Sequence, residues 1–194
     1  AIPKLLEMLD IEGCTVTIDA MGCQKEIARK VLERGADYVF GLKGNQENTF
    51  DAVKYLFEWE EKDNYRGVFH TRNETTEKDH GRFEKREVYS IGNLEDFAEF
   101  DEWPELKSVT MVISTREVMG QKPTTERRYY LSSLKADAET IGHAIREHWG
   151  IENKLHWVLD MNFREDYARN RKDHSAENMA MMRHMVLTCI PEKL

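Results

Sequence analysis

The sequence has no apolar run approaching the roughly 20 residues that a membrane-spanning helix needs, which excludes a helical membrane protein. It shows no secretory signal with a basic start, an apolar centre and a small-residue cleavage site. Cysteine is scarce: Cys14, Cys23 and Cys189 are odd in number and lack zinc-ligand spacing. That excludes a disulfide framework and predicts free thiols in a reducing cytoplasm. No internal repeat or low-complexity tract is present, so no repeat architecture is expected.

A surplus of positive charge is missing as well. The formal net charge is −8, which excludes a protein that simply coats nucleic acid. Residues 1–49 carry six basic and eight acidic side chains, residues 50–136 fourteen and eighteen, and residues 137–194 eight and ten. No segment is basic, so any nucleic-acid contact must rest on local clusters. Three stand out: Arg82, Lys85 and Arg86; Arg127 and Arg128; and Arg164, Arg169, Arg171 and Lys172. The ordinary reading of such clusters is a solvated face. What is present is enough apolar residue for a core, 40%, and enough charge for a water-facing surface, 33%, over 194 residues. This suits one domain, or one domain with an insertion.

The element pattern is mixed α/β. Residues 3–10 read as an amphipathic helix with no start-like segment before it, so the sequence is expected to begin inside a domain. Residues 14–19 form a short β-branched run, a buried strand. Gln24–Arg34 reads as a helix with Ile27, Ala28, Val31 and Leu32 on one face, ended by Gly35. Asp37–Leu42 is a second apolar strand, and strand–helix–strand at this spacing predicts a parallel pair. Residues 47–62 read as a helix. Strands are expected near 67–77, 82–91, 108–118 and 126–133, with Asp79-His80-Gly81 as a turn. The acidic stretch Glu95–Glu105 reads as an exposed loop or short helix. Asp137 is a candidate N-cap for one or two helices over 138–160. A last helix, about Ser175–Cys189, is expected to pack Met179, Met182 and Val186 into a core.

Two carboxylates are placed for chemistry. Asp19 ends an apolar strand, and in open α/β sheets ligands gather at the carboxyl ends of strands. It reads equally as a site residue and as a residue that caps the next helix or starts a turn. Glu152 lies in a stripe of His148, Glu152, His156 and Asp160, spaced four residues apart along a helix. Such a partly buried polar stripe needs partners or a metal. A single zinc ion between the outer histidines is excluded, because two helical turns separate them by about 12 Å. An internal hydrogen-bond network, one carboxylate of a magnesium site and, more weakly, zinc held by adjacent members of the stripe remain open. Two carboxylates on a strand end and a helix suit hard divalent cations acting on phosphodiesters.

Five motifs occur in a telling order. They are Thr17–Gln24; Ala36–Gln46; Asp79–Arg86; Arg128–Ser133; and Arg146–Asn153 with Leu155-His156-Trp157 and Leu159-Asp160. Together they resemble the insertion-sequence DDE transposases that include the H-repeat-associated proteins, over nearly the whole chain. The resemblance implies an RNase-H-like core, truncated at the N-terminus, interrupted by a β-rich insertion and closed by C-terminal helices. On that reading 1–49 is a βαβ part of the core, 50–136 the insertion, and 137–194 the closing helices. Asp19 matches the second catalytic Asp and Glu152 the catalytic Glu; both would bind Mg2+ or Mn2+. The family's signature on the last catalytic helix has an Arg where this chain has His148 and a Tyr where it has Ile145. The strand carrying the first catalytic Asp is not found upstream of Asp19, so the chain is expected to be inactive alone.

The resemblance implies DNA as the partner, with Lys43, Asn45, His80, Arg82, Arg86, His148, Asn153 and His156 as candidate contacts. It also implies a homo-oligomer when active, in the cytoplasm and away from membranes. Two rival readings are a nuclease on the same core, cutting without joining, and a catalytically dead remnant that folds and binds DNA or a partner chain.

Overall fold

A computed structural model describes residues 2–79, 82–95, 97–118, 122–151, 157–164, 167–169 and 172–189. They divide into two compact units, Ala1–Arg146 and Glu147–Leu194. The first begins with helix α1 (Ile2–Met8), strand β1 (Thr15–Ile18), helix α2 (Lys25–Glu33), strand β2 (Asp37–Leu42) and helix α3 (Glu47–Lys62). Strands β3 (His70–Asp79), β4 (Arg82–Gly92), β5 (Ser108–Val118) and β6 (Thr124–Ser132) follow, then helix α4 (Ala138–Ile151), whose last turns enter the second unit.

Among the described residues six strands form one sheet in the order β1-β2-β6-β5-β4-β3. The expected parallel pair is β1 with β2, in register from Thr15↔Asp37 to Ile18↔Phe40. Every other neighbouring pair is antiparallel. Residues 1–49 and 50–136 therefore share a continuous sheet, joined where β2 meets β6 from Val39↔Ser132 to Leu42↔Tyr129.

Side-chain alternation sorts the sheet into two faces. One presents Tyr38, Phe40, Leu42, Tyr129, Leu131, Val109, Met111 and Ile91, all buried in the main core with Ile27 and Val31 of α2 and Val53, Leu56 and Phe57 of α3. Phe50 meets the edge of Tyr129 at a centroid distance of 5.6 Å. The other face is lined by smaller and more polar buried groups: Val39, Ser90, Ser108, Thr110 and Ser132. The hydroxyls there are satisfied internally, as buried polar groups must be. Thr110 Oγ1 donates to Ser90 Oγ at 3.0 Å, and Ser132 Oγ to the Tyr38 carbonyl at 3.0 Å.

Helix α4 packs on this second face. The Ala138 amide donates to Thr71 Oγ1 at 2.8 Å, and a Cβ added at Gly142 would lie 3.1 Å from Val88 Cγ2. Arg146 pairs with Glu77. Because β3 runs from Thr71 toward Asp79, α4 advances toward the end of the sheet at which β1 and β2 finish. Its start is capped as expected: Asp137 Oδ1 accepts from the Glu139 and Thr140 amides at 3.0 and 3.3 Å.

Two expectations change. The stretch 95–105 is only partly an exposed loop. A short 3-10 turn, Ala98–Phe100, buries Phe100, and Trp103 is also buried. Trp103 Nε1 donates to Thr49 Oγ1 at 3.1 Å, fastening the acidic stretch to α3. In the second unit, α5 (Trp157–Met161) precedes α6 (Ser175–Cys189). Met182 and Val186 were expected in a core, but they are 59% and 47% exposed. Met181 and Met185 of the same helix are exposed as well, so among its described residues α6 shows no single buried apolar face. The turn at 80–81 lies outside the described residues.

The cap on α4 has a pH signature. Hydrogen bonds from Thr140, and then from the Glu139 amide, hold the Asp137 carboxyl below the ordinary aspartate range. Its contribution is therefore complete above the unfolded pKa and lost as pH falls through the lower folded value. Asp137→Ala should cost about 1 kcal/mol in urea unfolding at pH 7, and the gap to wild type should close on acidification.

Candidate active site

The site is built on the end of β1. Val16 and Ile18 face the main core, so Thr17 and Asp19 point to the opposite face, the one on which α4 packs. Asp19 is exposed and stands at the N-cap position of a short 3-10 turn, Ala20–Gly22, yet its side chain makes no capping hydrogen bond. The turn is held by its backbone instead, with the Gly22 amide donating to the Asp19 carbonyl at 3.1 Å. Asp19 therefore does start the turn, through its backbone, while the side-chain cap is not realised.

Two neighbouring features set the position of Asp19. A Cβ placed on Gly41 would lie 3.3 Å from the Ala20 nitrogen and 3.6 Å from Asp19 Cα, so β2 must be bare here for the chain to turn across it. The segment after β2 then reaches back. Asn45 Nδ2 donates to the Ala20 carbonyl at 2.6 Å, and Gln46 Nε2 to the Cys23 carbonyl at 3.0 Å. Asn45 was read as a DNA contact; in this fold its amide braces the turn that carries Asp19. Gln46 does the same and was not singled out, although it belongs to the same motif.

Lys43 is exposed and extended, with φ −143° and ψ −175°. It continues the β2 alternation on the Asp19 face. Beyond this point β1 and β2 stop, but β4, β5 and β6 do not. Seven further residues of β5, Val112–Val118, run past the Met111↔Tyr129 pair with β6 and β4 alongside. At about 3.3 Å per residue this is an overhang of roughly 23 Å on the Asp19 end of the sheet. Arg86, Arg116 and Arg128 line it on the Asp19 face. Arg86 pairs with the buried carboxylate of Glu84, which also lies 4.0 Å from Arg116. Arg128 pairs with Glu126.

The remaining candidates separate. Arg82 sits at the start of β4, where its backbone pairs with Val118 and Asp79. His148 lies on α4, half-buried and edge-on to Trp149 at 5.7 Å. His80, Glu152, Asn153 and His156 lie outside the described residues. Among the described residues, no three His, Cys, Asp or Glu side chains are grouped to hold a metal ion. The nearby thiol offers no alternative nucleophile: Cys23 is fully buried, and burial pushes its pKa up to about 12.

A carboxylate displayed at the end of a parallel pair, with basic side chains beyond it, is the arrangement the motifs anticipated. The family described as Transposase DDE domain matches residues 1–189. The chain belongs to this DDE transposase family. Relatives of this DDE transposase domain include "Putative protein YbfL" of Escherichia coli strain K12, 39% identical over 98% of this chain and 50% of that protein. "Putative transposase YncI" of Escherichia coli O157:H7 is 40% identical over 98% of this chain and 49% of its own length. "H repeat-associated putative transposase YhhI" of strain K12 is 39% identical over 98% and 50%. The chain thus spans about half the length of these curated relatives. No solved structure matches this chain. None of its described helices is long and apolar enough to cross a membrane.

The close approach at Gly41 predicts a contrast between two glycines. Gly41→Ala should destabilise the domain by roughly 1–3 kcal/mol, since backbone rather than a flexible side chain must yield. A Cβ on Gly44 meets nothing within 4 Å, so Gly44→Ala should stay within about 1 kcal/mol. Urea titration of the two variants reads the difference.

Proposed function

We propose that this DDE transposase domain contributes Asp19 and Glu152 to a divalent-metal site that cleaves DNA and joins transposon ends to a target. The observation that carries the reading is Asp19 itself: an exposed, uncapped carboxylate at the carboxyl end of a parallel strand pair, on a turn braced from two sides. A carboxylate spent on a structural cap would have been drawn onto the turn amides. The site's chemistry fits a hard cation, because Asp19 presents acceptor oxygens and no thiol competes. Bound Mg2+ or Mn2+ would supply an activated attacking oxygen and stabilise the leaving one.

On this reading the fold is RNase-H-like, with 1–49 and 137–194 as its core and 50–136 as the inserted sheet. Lys43, Arg82 and Arg86 act as phosphate contacts on the overhang, and His80 as a further DNA contact. His148, Asn153 and His156 act on DNA as well. Asn45 acts indirectly, by holding the Asp19 turn. The active assembly is a homo-oligomer on paired transposon ends, in the cytoplasm.

The test is a cleavage and strand-transfer assay with transposon-end DNA and Mg2+ or Mn2+, using the protein that carries this domain. Loss of an outer-sphere partner already costs 10–100-fold at metal sites, so loss of a ligand should cost more than about 100-fold. Asp19→Asn and Glu152→Gln should each abolish both reactions to that extent without loss of fold. Retention of activity in both variants refutes the reading. Cleavage without joining assigns the site to a nuclease instead. Lys43→Ala should weaken DNA binding and lower the salt slope by about one.

A further inference from the structure

We propose that Glu126 is a built-in stand-in for a DNA phosphate: it holds Arg128 in place beside the Asp19 row and gives it up when the phosphate backbone arrives. The proposal rests on the DNA-binding reading above and adds a regulatory element to it.

The strand register places the groups. On the Asp19 face, Gly41, Tyr130 and Thr110 form one row across the sheet, and a Cβ on Gly41 would lie 3.6 Å from Asp19 Cα. The next row along the strands holds Arg128 and Val112, with Lys43 continuing β2 beside Arg128. The row after that holds Glu126, Ser114 and Arg86, and the fourth holds Thr124, Arg116 and Glu84. Rows are two residues apart, roughly 7 Å. Across the β2, β6, β5 and β4 positions of the three rows beyond Asp19, four cations, Lys43, Arg86, Arg116 and Arg128, stand against two carboxylates, Glu84 and Glu126; the β3 position of the fourth row holds Glu77, which pairs with Arg146. Within an acidic chain, this is a local cationic strip of suitable sign for phosphate.

The two carboxylates are not equivalent. The Glu84 side chain is only 10% exposed, under Arg86 and Arg116, and fixes those arginines from below. Glu126 is 59% exposed and faces three cations. Arg128 Nε and Nη2 donate to its two oxygens at 2.8 and 3.0 Å. The hydrogen bonds from Arg128, and then the nearby charges of Arg128, Lys43 and Arg116, hold Glu126 below the usual carboxylate range. The two-pronged geometry is the one with which a guanidinium takes a phosphate. An ion pair between exposed groups in water is weak. A DNA backbone brings many charges and releases condensed counterions on binding, so it displaces such a pair readily. Meanwhile Arg128 is pre-oriented, and its charge is masked from adventitious polyanions.

The experiment is a salt titration of binding to a 20-base-pair duplex of arbitrary sequence, without divalent metal. Proteins compared are wild type, Glu126→Gln, Arg128→Ala, the double variant, and Glu99→Gln. Glu99 is exposed at the opposite end of the sheet and changes net charge equally. Glu126→Gln should bind at least threefold tighter than wild type, with a salt slope steeper by about one. Glu99→Gln should match wild type, and the gain from Glu126→Gln should vanish in the Arg128→Ala background. If Glu126→Gln binds like wild type, or keeps its gain without Arg128, the stand-in is overturned while the DNA-binding reading survives. If no protein in the set binds duplex at any salt, both fall.

Discussion

Four residue pairs, Val39↔Ser132 through Leu42↔Tyr129, join the short parallel pair to the long antiparallel strands. Most of the functional geometry depends on this one ladder. It makes the antiparallel strands a continuation of the sheet rather than a separate lobe. It also sets their direction, so that β5 and its neighbours overrun β1 and β2 on the side where Asp19 is displayed. A shift of this register by one residue would exchange the two faces. Phe40 and Leu131 would then leave the core, and Arg128 would leave the face that Asp19 shares.

The two faces also divide the work. The aromatic and aliphatic face packs against α2 and α3 and carries the apolar burial. The opposite face mixes small hydroxyl residues and Gly41 with buried Val88, Val112 and Tyr130; Gly142 lets α4 lie close to Val88, and Gly41 lets the chain cross near Asp19.

Much of this could be read in the sequence. The β-branched run ending in Asp19, the apolar face of α2, Gly35 in left-handed geometry and the Asp137 cap are local signals, each set by a few neighbouring residues. The β2–β6 pairing was not readable, because it joins residues about ninety positions apart and neither strand names its partner. Trp103 was hidden for the same reason: its neighbours are acidic, and only the fold brings Thr49 to its indole nitrogen. Asn45 and Gln46 were visible as a motif, but their task was not. An amide side chain beside a carboxylate site reads as a ligand contact until the carbonyls it serves are seen. The methionines of α6 misled in the other direction, since helical spacing signals an apolar face without saying what covers it.

The central claim is that Asp19 is a metal-binding carboxylate rather than a structural cap. Paramagnetic broadening of backbone amide signals by Mn2+ tests it most directly, because it detects weak sites and reports their position. The account predicts broadening centred on Asp19–Gly22 and Lys43–Asn45, lost in Asp19→Asn, with amide shifts outside those segments unchanged by the substitution. Broadening that centres elsewhere, or that persists in Asp19→Asn, would contradict it.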